Sequence, residues 1–163
     1  MRPLFLSAAF VAALAGNAFA QGAGQGGVTP AQSNKVVSTL ADMFGACGEI
    51  AEEYRPDCIA QALLRGAQKI ANNPGYWEAH VALTRAGRRL TQLVREHTDP
   101  DADRVRVRGY RLRAVAAAAM PELRRVGEET MMRAERDLEA VLPYEREAFA
   151  PIADVIRTER PWP

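Results

Sequence analysis

The sequence predicts an all-α fold: an antiparallel helical bundle with a short extended Arg-rich linker and one disulfide. Three observations carry this reading. Apolar residues recur at alternating steps of four and three along most of the chain, the period of one buried helical face. Short breaks rich in Asn, Asp, Pro and Gly separate these stripes, which makes sequential helices antiparallel neighbours. Two cysteines, Cys47 and Cys58, follow an export signal, and an even cysteine count in an oxidising compartment favours pairing.

The elements follow in chain order. Residues 1–20 read as the export signal, with Arg2 as its positive start, an apolar run from Leu4 to Leu14 and a small-x-small cleavage site at Ala18-Phe19-Ala20. The run is shorter than the ~20 residues a membrane-spanning helix needs. No cysteine follows it directly for lipid attachment, since the first is Cys47. The mature chain is therefore expected to begin at Gln21 without a transmembrane segment, in the periplasm or outside the cell. Residues 21–28 (QGAGQGGV) read as a Gly/Gln-rich disordered tether. Residues 29–158 form one helical domain, and 159–163 a tail that two prolines keep from extending a helix.

Within the domain, Thr29-Pro30 is an N-cap followed by Pro at the first helical position. Val36, Leu40, Met43, Cys47, Ile50 and Tyr54 form the first stripe, which Gly45 or Gly48 could end early. Asp57 is placed to cap a second helix with Ile59, Leu63, Ala67 and Ile70 as its buried face, stopped by Asn72-Asn73-Pro74-Gly75. A third helix runs from about Tyr76 to His97 on Ala79, Leu83, Ala86, Leu90 and Leu93, ending at Thr98-Asp99-Pro100. Tyr76-Trp77 is expected to pack against the bundle end.

Arg104 to Arg113 (RVRVRGYRLR) alternates basic and apolar residues with period two, a strand pattern. No other segment offers it a partner, so it reads as an extended linker that merges into helix near Leu112, with Ala114–Ala119 favouring helix. Pro121 either kinks this helix or starts a new one. Leu123, Gly127, Thr130, Met131, Ala134, Leu138 and Val141 make the next stripe, and a last helix from about Tyr144 to Arg157 carries Phe149, Ile152, Val155 and Ile156.

The cysteine spacing sets a geometric condition. Eleven residues of continuous helix would separate the two by about 16 Å, whereas a disulfide needs Cα atoms within about 7 Å. Bonding therefore requires a chain reversal between them, which Gly48 and Pro56 can provide.

Composition excludes several functions. The chain has 163 residues, 21 of them basic and 20 acidic; removing Arg2 leaves 20 basic residues and a mature net charge near zero. A general nucleic-acid binder needs a basic surplus, so none is expected. There is no CxxC or CxxCH motif and no phosphate loop between a strand and a helix. His80 and His97 are the only histidines, and neither has a ligand partner at helical spacing. Ser33 and Ser38 have no neighbouring His to activate them. No catalytic residue, metal site or cofactor is expected, and an enzyme is the least favoured reading. Glu49, Glu52, Glu53 and Asp57 read as a solvated acidic face with Arg55 as counter-charge.

One patch carries charge of a single sign. Arg104, Arg106, Arg108, Arg111 and Arg113, extended, would place several guanidinium groups on one side, with Tyr110 as a stacking surface. Such a strip suits a phosphate, an acidic polymer or a partner's acidic face. The segment Ala46–Cys58 (ACGEIAEEYRPDC) resembles small exported helical proteins of alphaproteobacterial type, and the likeness continues loosely to Asp99-Pro100. The resemblance implies secretion and a paired-Cys helical turn, and no activity; the C-terminal third matches less well. The expected function is a non-catalytic binding, structural or interaction module with a protein or cell-envelope partner. A small-ligand or lipid carrier with an interhelical cavity is the alternative.

Overall fold

Five α-helices and one β-hairpin make up the described residues, 27–159 and Trp162, of the computed structural model. The expected export signal and residues 21–26 of the expected tether lie outside them. Gly27 is exposed, whereas Val28 is half-buried and packs on the core.

Helix α1 spans Pro30–Gly48. Thr29 caps it by accepting from the Gln32 N–H, an interaction worth about 1 kcal/mol in such positions. Neither Gly45 nor the sequence before it shortens the helix; Gly48 is its last residue. The chain then reverses through a single 3-10 turn at Glu52–Tyr54 into α2, Arg55–Gln68. This reversal brings the Cα atoms of Cys47 and Cys58 to 5.6 Å, and the two are disulfide-bonded. Both are fully buried. Closing a loop of this size restricts the unfolded chain by about 3 kcal/mol.

Asp57 does not cap α2. The 3-10 turn starts the helical path earlier, so Asp57 falls inside the first turn of the helix and is 1 % exposed. A second 3-10 turn, Pro74–Tyr76, is capped by the Asn73 side chain, which accepts from the Gly75 N–H at 3.0 Å. Helix α3, Trp77–Glu96, follows. The expected packing of Tyr76-Trp77 divides: Tyr76 is fully buried, while Trp77 is 63 % exposed.

Pro121 starts a helix rather than kinking one. It lies in the first turn of α4, Met120–Glu139, and Pro143 does the same for α5, Pro143–Thr158. Prolines suit this position because the first N–H groups of a helix have no intrahelical partner. Glu145 accepts from the Leu142 N–H at 3.3 Å, which satisfies one end of α5. Pro151 sits inside α5, on its exposed side. Sequential helices pack on one another, and α5 returns to α1 to close the bundle. The apolar stripes meet in one core that runs from Val36 to Ile156.

Two polar hubs tie distant segments at opposite ends. At the Thr29 end, the Tyr76 hydroxyl donates to the Thr29 carbonyl (2.6 Å), accepts from the Thr29 N–H (3.1 Å) and bonds the Ser33 hydroxyl (2.7 Å). At the other end, the Asp57 carboxylate accepts from the Arg113 N–H (2.9 Å) and from the Gln61 amide (3.4 Å). The tail contributes to the core as well. Trp162 is half-buried and lies so close over Gly127 of α4 that a Cβ there would collide with the indole. Among the described residues no helix is long and apolar enough to cross a membrane.

Candidate functional site: the arginine hairpin

The Arg-rich segment finds its strand partner in itself. Strands β1, Val105–Val107, and β2, Tyr110–Leu112, pair antiparallel with Val105 opposite Leu112, Arg106 opposite Arg111 and Val107 opposite Tyr110. The two-residue turn is Arg108-Gly109, with φ of +47° and +87°. A hairpin turn of this kind needs positive φ at both central residues, and Asn, Asp or Gly are the usual choices. Gly109 meets that need without strain; Arg108 is the non-glycine exception. Its guanidinium reaches Asp42 of α1 at 2.8 Å, which fastens the turn to the bundle.

The segment after β2 does not turn helical near Leu112. Extended backbone continues because its hydrogen bonds are taken up on both sides. The Val115 N–H donates to the Glu53 carbonyl (2.9 Å), the Ala116 N–H to the His97 carbonyl (2.9 Å), and the Ala114 carbonyl accepts from the Asp99 N–H (3.0 Å). Thr98 and Val115 form an antiparallel bridge. Only at Ala117–Ala119 does a 3-10 turn lead into α4.

The hairpin has two unlike faces, as period-two alternation requires. Leu112 is fully buried, and Val105, Val107 and Tyr110 are half-buried against the core. Tyr110, read as a stacking surface, is half-buried and already engaged by Arg65 of α2. Its hydroxyl accepts from the Arg65 guanidinium at 2.8 Å, and the same group lies 5.7 Å from the ring centroid. Tyr54 donates to the Asp103 carbonyl at 2.7 Å, holding the entry to β1.

The five arginines therefore separate. Arg108 is paired with Asp42, and Arg113 lies 4.0 Å from Asp57, to which its backbone also donates. Arg104, Arg106 and Arg111 are exposed and have no carboxylate partner among the described residues. Arg106 and Arg111 are direct cross-strand partners on the outer face. Side chains so placed start about 5 Å apart at Cβ, and like charges there are destabilising. A bidentate acceptor brought between them, a carboxylate or phosphate, removes that repulsion and satisfies both forks.

The acidic group near the disulfide is not one solvated face. Glu52 is ion-paired with Arg124 of α4, and Asp57 is buried beneath the hairpin. Arg55 does not serve as their counter-charge: it donates to the carbonyls of Ile50 (3.1 Å) and Gly48 (3.3 Å) and so ties the reversal. His80 contacts the Ala67 carbonyl through Nδ1 at 3.1 Å, a link between α2 and α3. Ser33 is buried against Tyr76. Among the described residues no three His, Cys, Asp or Glu side chains are grouped so as to hold a metal ion.

Sequence reasoning missed the hairpin and the role of Asp57. The signal for the hairpin was present: two apolar–basic–apolar triplets flank a two-residue step that ends in Gly. No comparable signal marked Asp57, whose partner Arg113 is 56 residues away. Comparison of the chain with protein-family models, with curated proteins and with solved structures finds no match.

Proposed function

We propose that this chain is an exported, periplasmic helical protein that works as a non-catalytic binding module, and that the outer face of the β1–β2 hairpin is its contact surface. The observation that carries the reading is the Arg106–Arg111 pair. Two like charges stand opposite each other on an exposed face, Arg104 precedes them in the chain, and none of the three has a carboxylate partner among the described residues. Folding alone gives no reason for that arrangement, whereas contact with an acidic surface does.

Support also comes from how the hairpin is held. Leu112, the Asp57–Arg113 bond, the Arg108–Asp42 pair and the Arg65–Tyr110 contact fasten its inner side to α1 and α2. A face held this way is pre-organised, so little ordering cost remains at binding. The partner is read as the acidic region of a protein or other cell-envelope component.

Affinity capture from periplasmic extract with chemical crosslinking tests the reading. The wild-type mature chain is expected to recover a specific component that the double variant Arg106→Glu, Arg111→Glu does not. Equal recovery by both chains, or nothing above background from the wild type, overturns it.

A further inference from the structure

We propose that the groove between α3 and α4 is a second, independent site, and that it takes a small amphiphilic anion: the carboxylate of a medium-chain acid with its alkyl chain laid along the groove. The groove encloses about 300 Å³ and is lined from both helices. Ala82 and Ala86 of α3 and Ala134 of α4, all buried, line it with half-buried Val126 and Thr130, whose hydroxyl is already spent on the Val126 carbonyl at 2.7 Å.

The charges around it do not cancel. Its two carboxylates are already engaged: Asp137 with Arg85 at 2.9 Å, and Glu129 with Arg125 at 2.7 Å. Arg89 on the α3 wall and Arg133 on the α4 wall have no carboxylate partner among the described residues. One unpaired guanidinium on each wall gives a planar oxyanion two forks to bind. The lining alanines leave room for methylenes and offer no polar group that would go unsatisfied.

Size and charge fix the class. A volume near 300 Å³ lies at the low end for ligand pockets, which suits a single short alkyl chain. The uncompensated positive charge disfavours a cation, and the apolar lining gives a bare inorganic anion nothing to gain. The groove is open along the bundle surface rather than an enclosed interhelical cavity, so a ligand enters without the helices separating. It shares no residue with the hairpin, and the two readings stand or fall separately.

Titration of the ¹⁵N-labelled mature chain with octanoate tests the proposal, with octanol and octyltrimethylammonium as matched neutral and cationic probes. Saturable shifts confined to amides of 82–89 and 126–137 are expected. The double variant Arg89→Gln, Arg133→Gln should bind about tenfold more weakly with an unchanged melting temperature, and octanol should be weaker than octanoate by a similar factor. Arg95→Gln, elsewhere on α3, should bind as the wild type does. Octanol or the cation binding as well as octanoate, shifts centred away from the groove, or no saturation by about 10 mM octanoate would each overturn it. A variant that melts early is replaced by the single Arg133→Gln chain, for which a loss of about threefold or more is expected and an unchanged affinity is contrary.

Discussion

The two ends of the bundle are built on the same device and finished differently. At each end one buried polar side chain gathers segments far apart in sequence. Tyr76 gathers Thr29 and Ser33 at one end, and Asp57 gathers Gln61 and Arg113 at the other. The Tyr76 hub is neutral and is reinforced by a tilted ring contact with Phe149, centroids 5.4 Å apart. The Asp57 hub is a carboxylate that accepts from a backbone N–H and a Gln amide, and it holds an Arg-rich hairpin whose outer charges it does not reach. Arg157 on α5 shows the contrast. Arg157 bonds Asp154, Glu139 and Glu135, and hydrogen bonding to Asp154 pushes its pKa above the usual guanidinium value. Arg106 and Arg111 have no such partners among the described residues, which is why the contact face is proposed there.

The largest effect that would sharpen this comparison concerns the Cys47–Cys58 staple, next to Asp57 in the chain. Replacing Cys47 and Cys58 together by Ala is expected to cost about 3 kcal/mol in denaturant unfolding. Under denaturing, non-reducing conditions the wild-type chain should resist alkylation until a reductant is added. Free alkylation of both thiols without reductant would remove the staple from the account.

The next effect compares the hubs directly. Asp57→Ala leaves the Arg113 N–H without its acceptor beneath the hairpin and is expected to cost about 2–3 kcal/mol. Tyr76→Phe removes a hydroxyl whose neutral partners can bond one another, since Ser33 already lies 3.3 Å from the Thr29 carbonyl; about 1 kcal/mol is expected. Equal losses in urea unfolding would erase the distinction between the two ends.

The smallest effect on stability is expected where the function is placed. Arg106→Ala with Arg111→Ala should shift stability by no more than about 0.5 kcal/mol, and toward a gain, because directly opposed like charges are removed. A clear loss would mean that the pair serves folding, and the case for a free contact face would fail.

Much of the fold was legible because its helices are local patterns. The four-three stripes named Val36, Leu40, Ile59, Leu63, Leu83, Leu90, Leu123 and Leu138, and all of them are buried. Thr29-Pro30 sits where a cap and a first-turn proline belong. Helix geometry also required the reversal that lets Cys47 meet Cys58. The hairpin was harder to see because Arg108 occupies a turn position that Asn or Gly would have advertised. Asp57 carried the signature of a cap, and only the earlier 3-10 turn and the remote Arg113 N–H put it in the interior. Trp162 on Gly127 was equally hidden, since the contact joins a tail to the middle of another helix. Of the candidate site, charge sign and extension could be read in advance. The division into paired Arg108 and Arg113 and unpaired Arg104, Arg106 and Arg111 depends on where Asp42 and Asp57 lie in space.

The most direct test of the hairpin as a contact face is site-specific photo-crosslinking in cells that express the chain. A photoreactive residue is placed at exposed position 104, which leaves the Arg106–Arg111 pair intact, or at exposed position 146 at the opposite end of the bundle. A discrete covalent adduct from position 104, absent from position 146 and lost on Arg111→Glu, is the predicted result. Equal adducts from both positions, or none from 104, would contradict it.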